Sequence, residues 1–224
     1  LFLYIGGESD NWVSEILNAA DGVRALPLMD YVDLKLETLT EGMEGEADGD
    51  YDEHIWTSPQ NASVMVSAIE QALADIEPDG ADVYLQNLEN YNSQLETLDS
   101  DFREVISSAK RNTLVFADRF PFRYFADQYG LDCYAAFPGC YMGSEPSAAT
   151  VVFLIDKVQS EHIPVVFYIE FSNEKMADTI CEATGAKKLL FHSCHNVTKT
   201  DFEKGETYLS LMHSNVLALK EALN

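Results

Sequence analysis

The second half of the chain repeats one unit, and that repetition restricts the possible folds more than any other feature. "TLVFA" (113–117), "LDCYAAF" (131–137), "PVVFYIE" (164–170) and "KKLLF" (187–191) are short β-rich apolar runs without regular polar alternation. Strands that read this way are covered on both faces. Amphipathic segments near 119–129, 147–160, 172–184 and 206–222 carry apolar residues at helical spacing. Pro146 suits a first helical turn, and Gly130 and Gly185 suit helix ends. Because each strand–helix step needs a crossover, neighbouring strands run parallel. The spacing predicts a doubly wound lobe.

The first half holds fewer such units. "LFLYI" passes through Gly6 and Gly7 into "SDNWVSEILNAA", a strand, turn and helix with Ser9 or Asp10 as cap. "VRALPLM" is a second strand, and after a long acidic loop "SPQNASVMVSAIEQALADI" is a helix entered through Pro59. Two strands form a poor sheet alone, so further strand–helix units are expected upstream. Between the halves, Leu85, Leu88, Tyr91, Leu95, Leu98, Phe102 and Val105 recur by threes and fours. They mark one helix of roughly 30 residues and ~45 Å. The expected fold is therefore α/β: two Rossmann-like lobes with parallel sheets joined by one long α-helix. Residues 1–77 form an incomplete N-terminal lobe, 78–111 the linking helix and 112–224 the C-terminal lobe. Ligands of open α/β sheets collect outside the strands' carboxyl ends, which makes the inter-lobe cleft the expected site.

Charge narrows the partners. Lys and Arg number 14 against 38 Asp and Glu, a net charge of −24. Such a surface repels phosphate backbones and anionic lipid, which sets nucleic acid aside, and attracts cations. The 46% apolar content rules out wholesale disorder. No apolar run approaches the ~20 residues of a membrane helix.

Three clusters lie at strand ends or in loops facing the expected cleft. They are Asp52, His54 and Trp56 after the acidic run; Asp118 and Arg119 in "FADRFPFRYF"; and His192, Cys194 and His195 in "FHSCHNV". Each has an ordinary explanation: a loop histidine is commonly solvated, Asp118 suits a helix cap, and Arg119 suits a surface ion pair. Packing explains the HSCH tetrad less well, since it puts three metal-type side chains within four residues. His162 and His213 read as surface or packing residues. The four cysteines lack CxxC spacing and read as buried or disulfide-bonded thiols. No Gly-rich phosphate loop, G-x-S-x-G or H-E-x-x-H occurs.

Together these stretches resemble the solute-binding subunits of zinc and manganese ABC importers. "DEHIWTSPQNA" is similar to that family's D-x-H-x-W-x-x-P loop, "RFPFRYFADQYGL" to its aromatic helix, and "SEPSAATVVFLIDKV" to its Glu-Pro-Ser helix start. "VVFYIEFSNEKMADTICEATGAK" and "YLSLMHSNVLALKEAL" match its final units, so the resemblance runs through the whole chain in order. It implies a binding protein at the extracellular face of the membrane or in the periplasm, anchored through lipid on an upstream segment, monomeric, and delivering metal to a cognate ABC permease. Zinc is implied over manganese, because imidazole with carboxylate suits it better. The family's loop ligand falls on His54 and its last ligand on His192. Arg119 takes the place of a ligand histidine, with Asp118 or His195 completing the shell, and the family's first histidine lies upstream of this chain. Zinc binding weaker than an intact homologue's is expected. The acidic run would concentrate cations near His54, with Trp56 packing the loop onto its lobe. Cys140 and Cys194 would meet at the cleft rim, where a disulfide is permitted, and Cys181 would be a buried helix thiol. Two other classes stay open: a metal- or thiol-dependent hydrolase using His192, Cys194 and His195, and an adhesin or sensory module without strong metal binding.

Overall fold

The computed structural model describes residues 1–43, 49–139 and 146–224. The N-terminal lobe begins with β1 (Phe2–Tyr4), α1 (Val13–Ala19) and β2 (Ala25–Pro27), the two strands pairing in parallel. An irregular stretch leads to α2 (Pro59–Ile76). Pro59 opens that helix, and the Ser58 side chain accepts from the Asn61 N–H at 3.0 Å, so proline and cap act together at its start.

The connecting helix α3 (Ala81–Ser107) has 27 residues, about 40 Å at 1.5 Å per residue. Its apolar seam divides between two neighbours. Leu98, Phe102 and Val105 are buried against the C-terminal lobe, whereas Leu88, Tyr91 and Leu95 lie beside α2.

The C-terminal lobe alternates β3 (Thr113–Phe120), α4 (Arg123–Tyr129), β4 (Asp132–Pro138), α5 (Ala148–Ser160), β5 (Val165–Tyr168), α6 (Lys175–Thr184) and β6 (Lys187–Leu190). It closes with α7 (Lys199–Lys204) and α8 (Tyr208–Leu223). The four strands form one parallel sheet in the order β4-β3-β5-β6. Both faces are covered, as the continuous apolar runs require. On one face Phe116, Phe167 and Phe191 pack with Phe102, Phe122 and Phe125; on the other, Val115 and Val166 meet Leu154 and Ile180.

Several boundaries differ from expectation. β3 continues through Asp118 and Arg119 to Phe120 by way of an irregularity in its pairing with β4, so these two polar residues belong to the strand instead of following it. Pro146 precedes α5, whose cap is Ser147. The short helix α7 had no counterpart in the periodicity. Cys181 sits on α6 but is partly exposed, and Cys140 lies outside the described residues. No helix among the described residues is long and apolar enough to cross a membrane.

Phe102 joins the helix to the lobe. It is fully buried, with ring centroids 4.9 Å from Phe125 and 5.4 Å from Tyr129. Phe102→Ala is predicted to cost about 3–5 kcal/mol through lost burial and the cavity left behind. Urea unfolding would show this as a lower midpoint at unchanged slope.

Candidate metal centre

The segment 52–58 belongs to the N-terminal lobe in sequence, yet both lobes hold it. The Tyr124 hydroxyl donates to the Asp52 carbonyl at 2.8 Å and accepts from the Lys35 N–H at 3.1 Å. Burial pushes the Tyr124 phenol up to about 12, which keeps that hydroxyl a donor. The Trp56 indole N–H donates to the Ser193 carbonyl at 2.8 Å, and the Tyr208 hydroxyl donates to the Trp56 carbonyl at 2.8 Å. Ser58 bonds to Gln128. Trp56 was expected to pack the loop onto its own lobe; it also ties that loop to the other one.

This strap fixes His54, which is only 3% exposed. Its Nδ1 lies 3.0 Å from Asp52 Oδ1, and its backbone N–H donates to the same oxygen at 2.8 Å. An ionised carboxylate accepts and cannot donate, so Nδ1 carries the proton and Nε2 keeps a lone pair. Gly139, just past β4, leaves room for the ring: a Cβ there would meet His54 Cε1 at 2.8 Å and Nδ1 at 3.1 Å.

Opposite stands the turn after β6. Asn215 on α8 clamps its first residue, accepting from the His192 N–H at 2.7 Å and donating to the His192 carbonyl at 2.8 Å. Glu170, at the end of the β5 segment and with a side chain only 4% exposed, accepts from the Ser193 N–H at 2.8 Å, the Ser193 hydroxyl and the His195 N–H at 3.3 Å. Cys194 takes a left-handed φ of 59°, which costs a non-glycine residue roughly 1–3 kcal/mol. The turn places His195 at the cleft, its ring centroid 5.7 Å from His54 and 5.5 Å from Trp56. Cys194 packs instead against the core, where burial and the Glu170 carboxylate push its thiol well up. A nucleophilic thiol needs the opposite shift.

His54 and His195 therefore line one cavity of about 460 Å³, together with Trp56, Arg119 and Glu53. The other two expected residues lie elsewhere. His192 is buried and does not line the cavity. Its Nδ1 accepts from the Cys194 N–H at 2.9 Å, which leaves the proton on Nε2, an atom with no partner among the described residues. Asp118 lines a neighbouring cavity of about 250 Å³ that shares Arg119. Its Oδ1 accepts from the Arg119 N–H at 2.9 Å and sits 3.9 Å from the Arg119 guanidinium. Among the described residues no three His, Cys, Asp or Glu gather closely enough to hold an ion. His162 has a left-handed φ of 53° beyond α5, and His213 reaches Asp101 at 3.4 Å on the surface.

Glu170 and the three tyrosine and tryptophan links were not singled out from the sequence. Glu170 closes the run "PVVFYIE", and a carboxylate at the end of a strand buried on both faces was the available signal.

The description "zinc-uptake complex component A periplasmic" (ZnuA) belongs to the family model that matches residues 1–222. The chain belongs to this family. ZnuA-family relatives include the zinc-binding lipoprotein AdcA of Streptococcus pneumoniae (strain ATCC BAA-255 / R6), 29% identical over 229 residues, covering 98% of this chain and 45% of that protein. The high-affinity zinc uptake system protein ZnuA of Bacillus subtilis (strain 168) is 29% identical over 172 residues, 77% of this chain and 53% of that protein. The chain thus spans about half the length of these relatives. The crystal structure of the Zn(II)-bound ZnuA-like domain of Streptococcus pneumoniae AdcA aligns with a TM-score of 0.79 at 28% identity, covering 99% of this chain and 79% of that one. The metal-dependent lipoprotein YcdH of Bacillus subtilis aligns at 0.82 and 27% identity, covering 100% and 80%. Two α/β lobes joined by a long helix are the architecture of this ZnuA-like group.

Partial burial, then the neighbouring His54, holds His195 below the ordinary imidazole value of 6.5. The unfolded chain therefore binds that proton at higher pH than the folded protein does. Stability is lost as pH falls below 6.5 towards the folded value. An NMR titration should place His195 below a free imidazole, and His195→Ala should flatten the decline in urea midpoint between about pH 7 and pH 5.

Proposed function

We propose that the protein captures a zinc ion in the inter-lobe cleft and delivers it to an ABC-type permease, without catalysing a reaction. The observation that carries this reading is the pair His54 and His195, two imidazoles from opposite lobes with ring centroids 5.7 Å apart. Asp52 holds His54 in the tautomer that presents Nε2, the carboxylate–histidine arrangement that orients ligands to zinc. The depressed pKa of His195 keeps it neutral, and so able to donate a lone pair, at ordinary pH. The names of the relatives, a zinc-binding lipoprotein and a zinc uptake protein, support the same cargo. Imidazole donors favour zinc over manganese, which prefers oxygen.

In this reading His54 and His195 are direct ligands. Asp52 and Glu170 position them, the first by fixing a tautomer and the second by holding the turn. His192 and Asp118 contribute little to the metal, since one presents a protonated Nε2 in the interior and the other lines a separate cavity. The net charge of −24 draws cations towards the cleft from solution. The protein acts as a monomer outside the cytoplasm, at the extracellular face or in the periplasm, held to the membrane by lipid on an upstream segment.

Isothermal titration with zinc chloride tests the assignment. Wild-type protein is expected to bind one zinc. Asp52→Asn should weaken binding by about 10- to 100-fold, and His54→Ala and His195→Ala by at least as much. His192→Ala and Asp118→Asn should leave affinity far less changed. Unchanged zinc affinity in both His54→Ala and His195→Ala would defeat the proposal.

A further inference from the structure

One face of α4 holds both ends of the loop that carries His54. Tyr124 and Gln128 stand four residues apart on that helix and so project to the same side. The Tyr124 hydroxyl donates to the Asp52 carbonyl at 2.8 Å, and Gln128 Oε1 accepts from the Ser58 hydroxyl. Within the loop, the Thr57 hydroxyl donates to the His54 carbonyl at 2.8 Å. A glutamine amide serves Ser58 only while its oxygen points there, and Asp99 on α3 sets that direction. Its Oδ1 accepts from Gln128 Nε2 at 2.6 Å. An ionised carboxylate accepts and never donates, so it takes the NH2 end of the amide and leaves the oxygen to Ser58. The same Oδ1 accepts from the Tyr129 hydroxyl at 2.8 Å, and Oδ2 accepts from Arg103 Nε at 2.8 Å. Asp99 stands where α3 passes from α2 to the C-terminal lobe, between Leu95 beside Pro59 and Leu98 in the core of that lobe. It borders the start of α2, outside the cavity of His54 and His195.

We propose that Asp99 is a positioning residue for the metal centre, acting through Gln128 and Ser58 on the loop that presents His54. This rests on the zinc reading above, and it makes the linking helix part of the geometry of the site. Three bodies meet in the relay: the linking helix supplies the carboxylate, the C-terminal lobe the amide and the N-terminal lobe the hydroxyl. With the carboxylate removed, the Gln128 amide is free to turn. Its NH2 end then meets a Ser58 oxygen that already accepts from the Asn61 N–H at 3.0 Å. The back of the loop loosens while Tyr124 still holds the front. Binding zinc must then order the loop as well, and that ordering lowers affinity.

Zinc titration and hydrogen exchange at the Trp56 indole, read together, test this. Trp56 reports on the loop directly, since its N–H donates from there to Ser193, and Trp12, 55% exposed, serves as the reference. Asp99→Leu removes the acceptor at similar size. Its zinc affinity should fall about three- to tenfold, one hydrogen bond's worth, and the Trp56 N–H should exchange faster by a similar factor. Asp99→Asn keeps one acceptor oxygen and should restore both towards wild type. Gln128→Leu should match Asp99→Leu, and the double variant should be no worse than either. Tyr129→Phe removes the other donor to the same oxygen, so it should lower the urea midpoint and leave zinc affinity and Trp56 exchange unchanged. Wild-type affinity in Asp99→Leu, losses that multiply in the double variant, or a zinc loss in Tyr129→Phe equal to that in Asp99→Leu overturns the proposal. If wild-type protein binds no zinc, the zinc reading falls by itself. Faster Trp56 exchange in Asp99→Leu then upholds the hold of Asp99 on the loop, and unchanged exchange overturns it.

Discussion

A short loop shared between two lobes governs the rest of this structure. Backbone carbonyls withdrawn from water need donors, and for two carbonyls of the segment 52–58 those donors come from across the cleft. Tyr124 and Tyr208, on helices α4 and α8 of the C-terminal lobe, satisfy Asp52 and Trp56, and the Trp56 indole returns a bond to Ser193. Each bond contributes on the order of 1 kcal/mol net. Together they set the position of His54 relative to the turn that bears His195. The distance between the two imidazoles is therefore a property of this hydrogen-bonded seam as much as of either lobe.

The opposing turn reaches its shape by a different route. Its strained Cys194 is held between a buried asparagine on one side and a buried carboxylate on the other. Asn215 fixes where the chain leaves β6, and Glu170 fixes where it re-enters the cleft. The left-handed residue between them sends the thiol into the core and the next imidazole outward. One backbone conformation thus separates two side chains that adjoin in sequence and could otherwise have formed a thiol–imidazole pair.

The C-terminal lobe was legible because strands covered on both faces leave an unmistakable run of apolar residues. β3 outlasted its apolar run, since Arg119 and Phe120 resume pairing with β4 after an irregularity that spans Asp118, which periodicity does not show. The site was legible as far as its clusters: the loop histidine and the HSCH tetrad both border the cleft. Which histidine of the tetrad faces outward was not, because that depends on the φ of Cys194 and the pull of Glu170, a contact across 25 positions in the chain. Local spacing carries no record of either. The cross-lobe tyrosines were hidden for the same reason, as an aromatic at helical spacing reads as core.

Gly139 gives the cleft a dependency of another sort. Its conformation is open to any residue; what forbids a side chain there is the His54 ring occupying the place. A lineage that enlarged residue 139 would have to move that imidazole, and one that shrank residue 54 would release position 139 to drift. The two sites lie 85 positions apart on different lobes, yet the imidazole at 54 decides whether position 139 can carry a side chain.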